Sequence, residues 1–161
     1  MSWEDKTMEK YDLAVVIGRF QPLHLAHEAL IKRAFQVANT VLVLVGSAGD
    51  APTIKNPFSY DVRSFWIRHQ FPCAYVQPLY DSPYDDAAWY KQVHEAVRLF
   101  QPSTASVVLM GHDKDHTSFY LKELAKHWTY MPASPHENFD ATRIRDCLFS
   151  LRTVFDKSVS P

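Results

Sequence analysis

Short apolar runs alternate with longer stretches of helical periodicity along this chain. The apolar runs are four to six residues long and mostly aliphatic, which is typical of strands buried on both faces of a sheet. The predicted strands cover 13–17, 41–45, 75–79, 105–110 and 128–131, and the predicted helices cover 28–35, 60–71, 86–100, 117–127 and 141–151. The pattern therefore predicts an α/β chain in which each strand is followed by a helix.

This alternation favours a Rossmann-like parallel sheet flanked by helices. Right-handed crossovers place the carboxyl ends of all strands at one edge of the sheet, and open α/β sheets bind ligands at that edge. Polar or flexible residues follow the predicted strands there, including Gly18-Arg19, Gly46-Ser47, Asp81 and Gly111. We therefore expect the functional site at the carboxyl edge.

Length and charge restrict the remaining possibilities. A chain of 161 residues predicts one domain, with 1–10 and 152–161 as tails. The net charge of −1 gives no reason to expect nucleic-acid or membrane binding. Cys73 and Cys147 form neither metal-type spacing nor a disulfide framework, and no signal peptide or membrane span is present. These features predict a cytoplasmic protein.

The segment 18–27, GRFQPLHLAH, carries the strongest functional signal. It follows a buried strand, begins with a glycine turn, and places His24 and His27 three residues apart at the start of a helix. Because a helix start presents unpaired N–H groups and a positive dipole end, it binds anions. Adding Arg19 and two imidazoles predicts a pocket for phosphate oxygens.

Other interpretations of this segment are less favourable but stay open. His24 and His27 could be metal ligands, although the segment offers no third ligand and a closed zinc site needs four. They could also be buried structural histidines, and Gly18-Arg19 could be a simple strand-ending turn with a surface arginine. Phosphate contact is the interpretation that we favour.

GRFQPLHLAH resembles the GRFQPxHxGH signature of archaeal-type nicotinamide-mononucleotide adenylyltransferases, members of the HxGH nucleotidyltransferase superfamily. The same form occurs in the adenylyltransferase half of bacterial proteins fused to a Nudix hydrolase. Further matches follow in the family order. They are GSA at 46–48, TIKNPF at 53–58 with Arg63, the stretch 81–89 that ends in Trp89, GHDKD at 111–115 with YL at 120–121, and DATRIR at 140–145. The resemblance spans about residues 13–150.

Two positions depart from the family pattern. Ala26 stands where the family has glycine, and a helix accommodates alanine better than glycine by about 1 kcal/mol. The stretch around Asp85 and Asp86 lacks the asparagine that the family usually offers to the nicotinamide carboxamide.

The resemblance implies a single nucleotidyltransferase domain that transfers the adenylyl group of ATP to nicotinamide mononucleotide, releasing NAD and pyrophosphate. The nearest alternatives are a related enzyme with phosphopantetheine, FMN or glycerol phosphate as acceptor, and a nucleotide sensor without turnover. The implied catalytic residues are Arg19, His24, His27 and Arg145, and the implied ATP contacts add Gly18, Phe20, Lys55, Gly111 and Thr142. No residue is predicted as a dedicated metal ligand, because Mg²⁺ would arrive with ATP and keep several waters. A homo-oligomer is also implied.

The resemblance assigns the nicotinamide nucleotide to Ser47, Asp81, Asp86 and Trp89. An indole face attracts a flat cationic ring by roughly 0.5–2 kcal/mol. Trp89 could instead be ordinary core packing for helix 86–100, and Asp81 could merely cap a loop.

Overall fold

The computed structural model describes residues 10–102, 105–111 and 119–132. In chain order, the elements are β1 (Tyr11–Gly18), α1 (Leu25–Val37), β2 (Ala38–Val45), α2 (Tyr60–Gln70), β3 (Tyr75–Pro78), α3 (Asp86–Phe100), β4 (Val107–Gly111), α4 (Phe119–Leu124) and β5 (Thr129–Pro132). The strand–helix alternation predicted from the sequence is therefore confirmed over these ranges. The predicted helix 141–151 lies outside the described residues.

The sheet has five strands in the order β3-β2-β1-β4-β5, and every neighbouring pair is parallel. This confirms the Rossmann-like sheet. The chain moves outward on one side from β1 to β3 and then crosses back to place β4 on the other side of β1. The carboxyl ends of β1 and β4 therefore form a topological switch point, where open α/β sheets bind their ligands.

Helices cover both faces of the sheet, and alternate residues of each strand supply the two cores. On one face, Val16 and Val43 pack with Leu30 of α1 and Ile67 of α2. On the other face, Val15 packs with α3 and α4. Burial on both faces explains why the strands are continuous apolar runs rather than alternating ones.

Side chains at the helix starts fix where the helices begin. Asp85 accepts a hydrogen bond from the Ala88 backbone N–H at 3.0 Å and starts α3. Ser59 starts α2 by accepting from the Val62 N–H at 3.3 Å. Both are residue types that satisfy free N–H groups in a first helical turn. Capping thus directs two helices to begin at the carboxyl edge. Among the described residues, no helix is long and apolar enough to cross a membrane.

Candidate phosphate-binding site at the carboxyl edge

The connection between β1 and α1 is shaped by the ring of Phe20. Phe20 has a φ of 53° and its side chain is buried. A Cβ added at Gly18 would lie 3.0 Å from the Phe20 Cζ. The sequence predicted a glycine turn, but the left-handed position is Phe20, and Gly18 is needed because the ring folds back over its backbone. Alanine at Gly18 would force that ring to move.

His24 and His27 lie together at the start of α1. His24 is the residue immediately before the helix, and the two imidazoles stack with centroids 3.6 Å apart and an interplanar angle of 17°. Phe20 contacts the edge of His27 with a centroid distance of 4.7 Å. The prediction that both histidines lie on one face of the helix start is confirmed.

One hydrogen bond decides which nitrogen of His27 can donate. The His24 backbone N–H donates to His27 Nδ1 at 3.3 Å. Because Nδ1 accepts this hydrogen bond, neutral His27 carries its own proton on Nε2. His27 can therefore donate through Nε2 without being positively charged.

Gln21 fastens this connection to the loop that follows β2. Its side-chain NH₂ donates to the Phe58 carbonyl at 2.9 Å, and its side-chain oxygen accepts from the Phe58 N–H at 2.9 Å. Gln21 is buried. The sequence motif contains Gln21 but does not predict this contact, since a 37-residue separation gives no local signal.

Replacing Gln21 with methionine should release the loop that carries Phe58. Methionine has a similar length but leaves the two Phe58 backbone groups without their partner, which costs about 1–3 kcal/mol. Amide hydrogen exchange at Phe58 should accelerate, whereas Gln36→Met on the exposed face of α1 should leave it unchanged. Unaltered amide exchange at Phe58 in Gln21→Met would contradict the role assigned to the two hydrogen bonds between Gln21 and Phe58.

Arg63 ties three segments of the carboxyl edge together. Its guanidinium Nη1 donates to the carbonyls of Arg19 at 2.8 Å and Gly46 at 2.7 Å, and Nη2 donates to the Ser47 carbonyl at 3.1 Å. The Nε–H donates to the Ser59 carbonyl at 3.2 Å. The side chain is 1% exposed, and burial lowers the pKa of Arg63. A buried arginine therefore holds the ends of β1 and β2 to the start of α2.

Ser47 and Asp81, both predicted for the nicotinamide nucleotide, are in direct contact. The Ser47 hydroxyl donates to Asp81 Oδ2 at 2.9 Å, and Ser47 is a left-handed residue with a φ of 52°. A hydrogen bond between the Asp50 and Asp81 side chains raises the pKa of Asp50. Burial and the charge of Asp81 raise it further, and the charges of Arg19 and Arg63 oppose the rise. The ends of β2 and β3 thus present a carboxyl pair near Arg19.

Lys55 lies in the loop after β2, and Gly111 lies at the end of β4. Lys55 is exposed in a turn closed by the Asn56 N–H, which donates to Thr53 Oγ1 at 3.0 Å. Gly111 ends β4, and a Cβ there would lie 3.1 Å from Leu121 Cδ2. Alanine at this position would therefore press against α4.

Trp89 lies in the first turn of α3 and is half-buried against the second core. Its ring packs on Tyr120 with centroids 5.3 Å apart, and Asp86 is exposed at the start of the same helix. Within the described residues, no hydrogen bond or ring contact joins Trp89 to the Ser47–Asp81 pair. Trp89 thus has core contacts as well as a position near the edge.

Tyr120 brings α4 into the same electrostatic environment. Burial raises its pKa to about 12, partly opposed by the charge of Arg19, with Tyr130 adding to the rise. The phenol is therefore a neutral group close enough to Arg19 to sense its charge. The sequence included Tyr120 only as part of the YL match, so its proximity to Arg19 is a tertiary finding.

Several predicted site residues lie outside the described ranges. Thr142 and Arg145, together with the segment 112–118, belong to these. Within 10–102, 105–111 and 119–132, no group of three or more His, Cys, Asp or Glu side chains is placed to hold a metal ion. The described part of the edge offers a helix start, Arg19 and two imidazoles, which are groups that bind phosphate oxygens.

The comparisons with known proteins agree with this geometry. Residues 15–146 match the family profile described as cytidylyltransferase-like. The chain is also 36% identical over 152 residues to a nicotinamide/nicotinic acid mononucleotide adenylyltransferase of Acinetobacter baylyi, covering 91% of this chain and 80% of that protein. The chain belongs to the cytidylyltransferase-like family, in the group of this adenylyltransferase.

Solved structures of this adenylyltransferase group share the fold. A bifunctional NMN adenylyltransferase/ADP ribose pyrophosphatase of Francisella tularensis superposes with a TM-score of 0.79 at 32% identity over 87% of this chain. Its complex with AMP and a manganese ion gives a TM-score of 0.76 at 29% identity, also over 87% of this chain. The chain spans 42% of each of these Francisella chains.

Proposed function

We propose that the chain transfers the adenylyl group of ATP to nicotinamide mononucleotide, producing NAD and pyrophosphate. The observation that carries this proposal is the His24–His27 stack at the start of α1, with centroids 3.6 Å apart, directly after β1 at the switch point. Family membership supports the same reaction. A site for the phosphates of a nucleotide needs donors from a helix start and from cationic side chains, and this edge supplies both.

In this reaction, a 5′-phosphate oxygen of the mononucleotide forms a bond to the α-phosphorus of ATP. The bond from that phosphorus to the α,β-bridging oxygen breaks, and pyrophosphate leaves with the electron pair. The attacking phosphate is already ionised near pH 7, so no general base is needed. Catalysis then depends on positioning the two phosphates and on stabilising the charge that spreads over the reacting phosphoryl group.

We assign the described residues to that task as follows. His27 Nε2 donates to an α-phosphate oxygen, and His24 and Arg19 contact the neighbouring oxygens. Lys55 extends over the phosphates from its exposed loop, and Gly18, Phe20 and Gly111 form the backbone walls. Mg²⁺ bound to ATP would neutralise part of the phosphate charge. We also assign phosphate contacts to Thr142 and Arg145, on the basis of the sequence motif DATRIR alone.

The nicotinamide half is assigned to Ser47, Asp81, Asp86 and Trp89. The carboxyl pair of Asp50 and Asp81 gives this side of the edge a negative charge, which favours the cationic pyridinium ring of the mononucleotide. Trp89 offers an aromatic face to the same ring.

A direct assay tests the proposal. The purified chain is incubated with ATP, Mg²⁺ and nicotinamide mononucleotide, and NAD and pyrophosphate are quantified. The two products should form in equal amounts. Parallel reactions contain phosphopantetheine, FMN or glycerol phosphate as the acceptor. If only one of these other acceptors supports turnover, the proposed acceptor is wrong. If the chain binds nucleotide but forms no product, it is a nucleotide sensor.

Replacing Trp89 with alanine should raise the KM for nicotinamide mononucleotide about 2- to 30-fold, because stacking and cation–π attraction contribute roughly 0.5–2 kcal/mol. The KM for ATP should change much less. Trp89→Phe keeps an aromatic face and should recover part of the loss. Equal increases in both KM values would show that Trp89 acts through its packing on Tyr120.

A further inference from the structure

A cavity lies at the amino edge of the sheet, opposite the candidate phosphate site. Its volume is about 540 Å³, within the range of roughly 300–1,000 Å³ that is usual for small-molecule sites. It is bounded by the end of α3, the approach to β4 and the residues before β5. The lining residues are His94, Val97, Arg98, Gln101, Pro102, Ala105, Val107, His127 and Trp128.

All ionisable side chains that line this cavity among the described residues are basic. They are His94 and Arg98 from α3 and His127 from the turn before β5. The nearby acids have lysine partners: Glu95 pairs with Lys91 at 3.8 Å and Glu123 with Lys126 at 2.8 Å. The Lys126 hydrogen bond lowers the pKa of Glu123, and the charge of His127 adds to this effect. At the start of β1, Asp12 Oδ2 accepts from the Ser106 N–H at 2.8 Å. The cavity lining thus carries basic charge without a carboxylate.

The basic groups oppose one another. Burial lowers the pKa of His94, and the charges of His127 and Arg98 lower it further. An anion placed among these groups would relieve their repulsion and favour protonation of His94. The end of α3 contributes the negative end of its dipole, so the side chains must provide the attraction.

The cavity also has an aromatic wall. The rings of His94 and Trp128 lie 4.7 Å apart at 46°, and His94 meets His127 edge-on at 5.0 Å. Val97, Pro102 and Val107 complete an apolar floor. A flat ring can contact this wall while an attached anionic group reaches the basic side chains.

We propose that this cavity binds a small aromatic anion, a ring that bears a phosphate or a carboxylate, at a site separate from the nucleotide edge. Its ring packs against Trp128, and its anionic group contacts Arg98 and the two histidines. The inference does not depend on the proposed adenylyl transfer, because it uses none of the residues assigned to that reaction.

Phenyl phosphate and benzoate are suitable probes for the full chain. Histidine ring signals are followed by NMR during titration, and His94→Gln identifies the signal of His94. Both probes should shift the His94 and His127 signals with a Kd on the order of 1 mM, as expected for ligands of about ten heavy atoms. The pKa of His94 should rise on binding, and affinity should increase as the pH falls from about 7.5 to about 6. The signals of His24 and His27 report separately on binding at the other edge.

Arg98→Gln should weaken binding about tenfold, the loss expected for one charge-assisted contact. Arg98 is exposed, so this substitution should leave the fold and NAD formation unchanged. Arg68→Gln, an exposed arginine on α2, is the matched control and should bind the probes normally. Binding should also quench tryptophan fluorescence, and Trp128→Phe should remove this quenching.

Three results would overturn the proposal as a whole, and a fourth would overturn its aromatic part. The first is the absence of shifts at His94 and His127 at about 10 mM probe. The second is equal affinity for benzyl alcohol, which has the ring without the anion. The third is unchanged affinity in Arg98→Gln. Equal binding of inorganic phosphate alone would also contradict the aromatic part of the ligand.

Discussion

Replacing His27 with alanine is expected to lower kcat by about 10²–10³-fold. This is the loss that follows when one donor to a developing phosphoryl charge is removed. The imidazole also stacks on His24 and contacts Phe20, so the variant must first be shown to be folded by circular dichroism and urea unfolding. Steady-state NAD formation then measures kcat and KM. A loss of less than about threefold would show that His27 is structural.

Two conservative variants distinguish the roles of the two ring nitrogens of His27. Asparagine places its side-chain oxygen where Nδ1 accepts the His24 N–H at 3.3 Å, but it has no group at Nε2. Glutamine can place an N–H near the Nε2 position. If Nε2 is the donor to the phosphate, His27→Asn should be as inactive as alanine, while His27→Gln should retain part of the activity. The opposite order would indicate that the helix start depends on Nδ1. His69→Ala, at an exposed position on α2, is the control.

Replacing Arg63 with methionine should reduce the free energy of unfolding by about 3–5 kcal/mol. Methionine can occupy the buried space of the Arg63 side chain but donates nothing to the four carbonyls that Arg63 holds. Removing a buried charged donor that satisfies several acceptors is among the costliest single changes. Urea unfolding measures the loss. Arg68→Met is the matched control, since its one bond, from Nη2 to the Val76 carbonyl, is 3.3 Å and the residue is exposed.

Arg63→Lys adds a functional measurement. Lysine keeps the charge but cannot reach carbonyls on three segments with a planar fork of donors. The Arg19 backbone should therefore move, and the KM for ATP should rise more than the KM for the mononucleotide. A stability loss below about 1 kcal/mol in Arg63→Met would mean that water or neighbouring groups replace the guanidinium.

Much of the fold was predictable because its signals are local. The apolar run 41–45 has the length and residue types of a buried strand. The structure places it within β2, between β3 and β1 in the sheet. Helix α3 matched its predicted bounds, 86–100, because Asp85 caps it and apolar residues recur at helical spacing. Helix α1 begins at Leu25, before the periodic stretch 28–35, and His24 stands immediately before it. This agrees with the helix start that the two spaced histidines predicted.

The candidate site was predictable only in part. The motif GRFQPLHLAH identified the helix start for which phosphate binding is proposed, since a strand, a turn and spaced histidines are adjacent in the sequence. The two hydrogen bonds between Gln21 and Phe58 join residues 37 positions apart, and neither residue's type specifies the other as its partner. Trp89 remains a predicted nicotinamide contact, although its packing on Tyr120 is a tertiary contact that periodicity only suggested.

The sequence by itself determined the parallel α/β order, the carboxyl-edge location of the candidate site and the histidine pair, because each depends on neighbouring residues and a fixed period. Tertiary structure alone decided that Phe20 rather than Gly18 takes the left-handed turn and that Arg63 holds three segments together. It also decided that His94, Arg98 and His127 surround one cavity. Those arrangements join residues distant in the chain, and their free energies depend on which backbone groups and charges the folded sheet brings together.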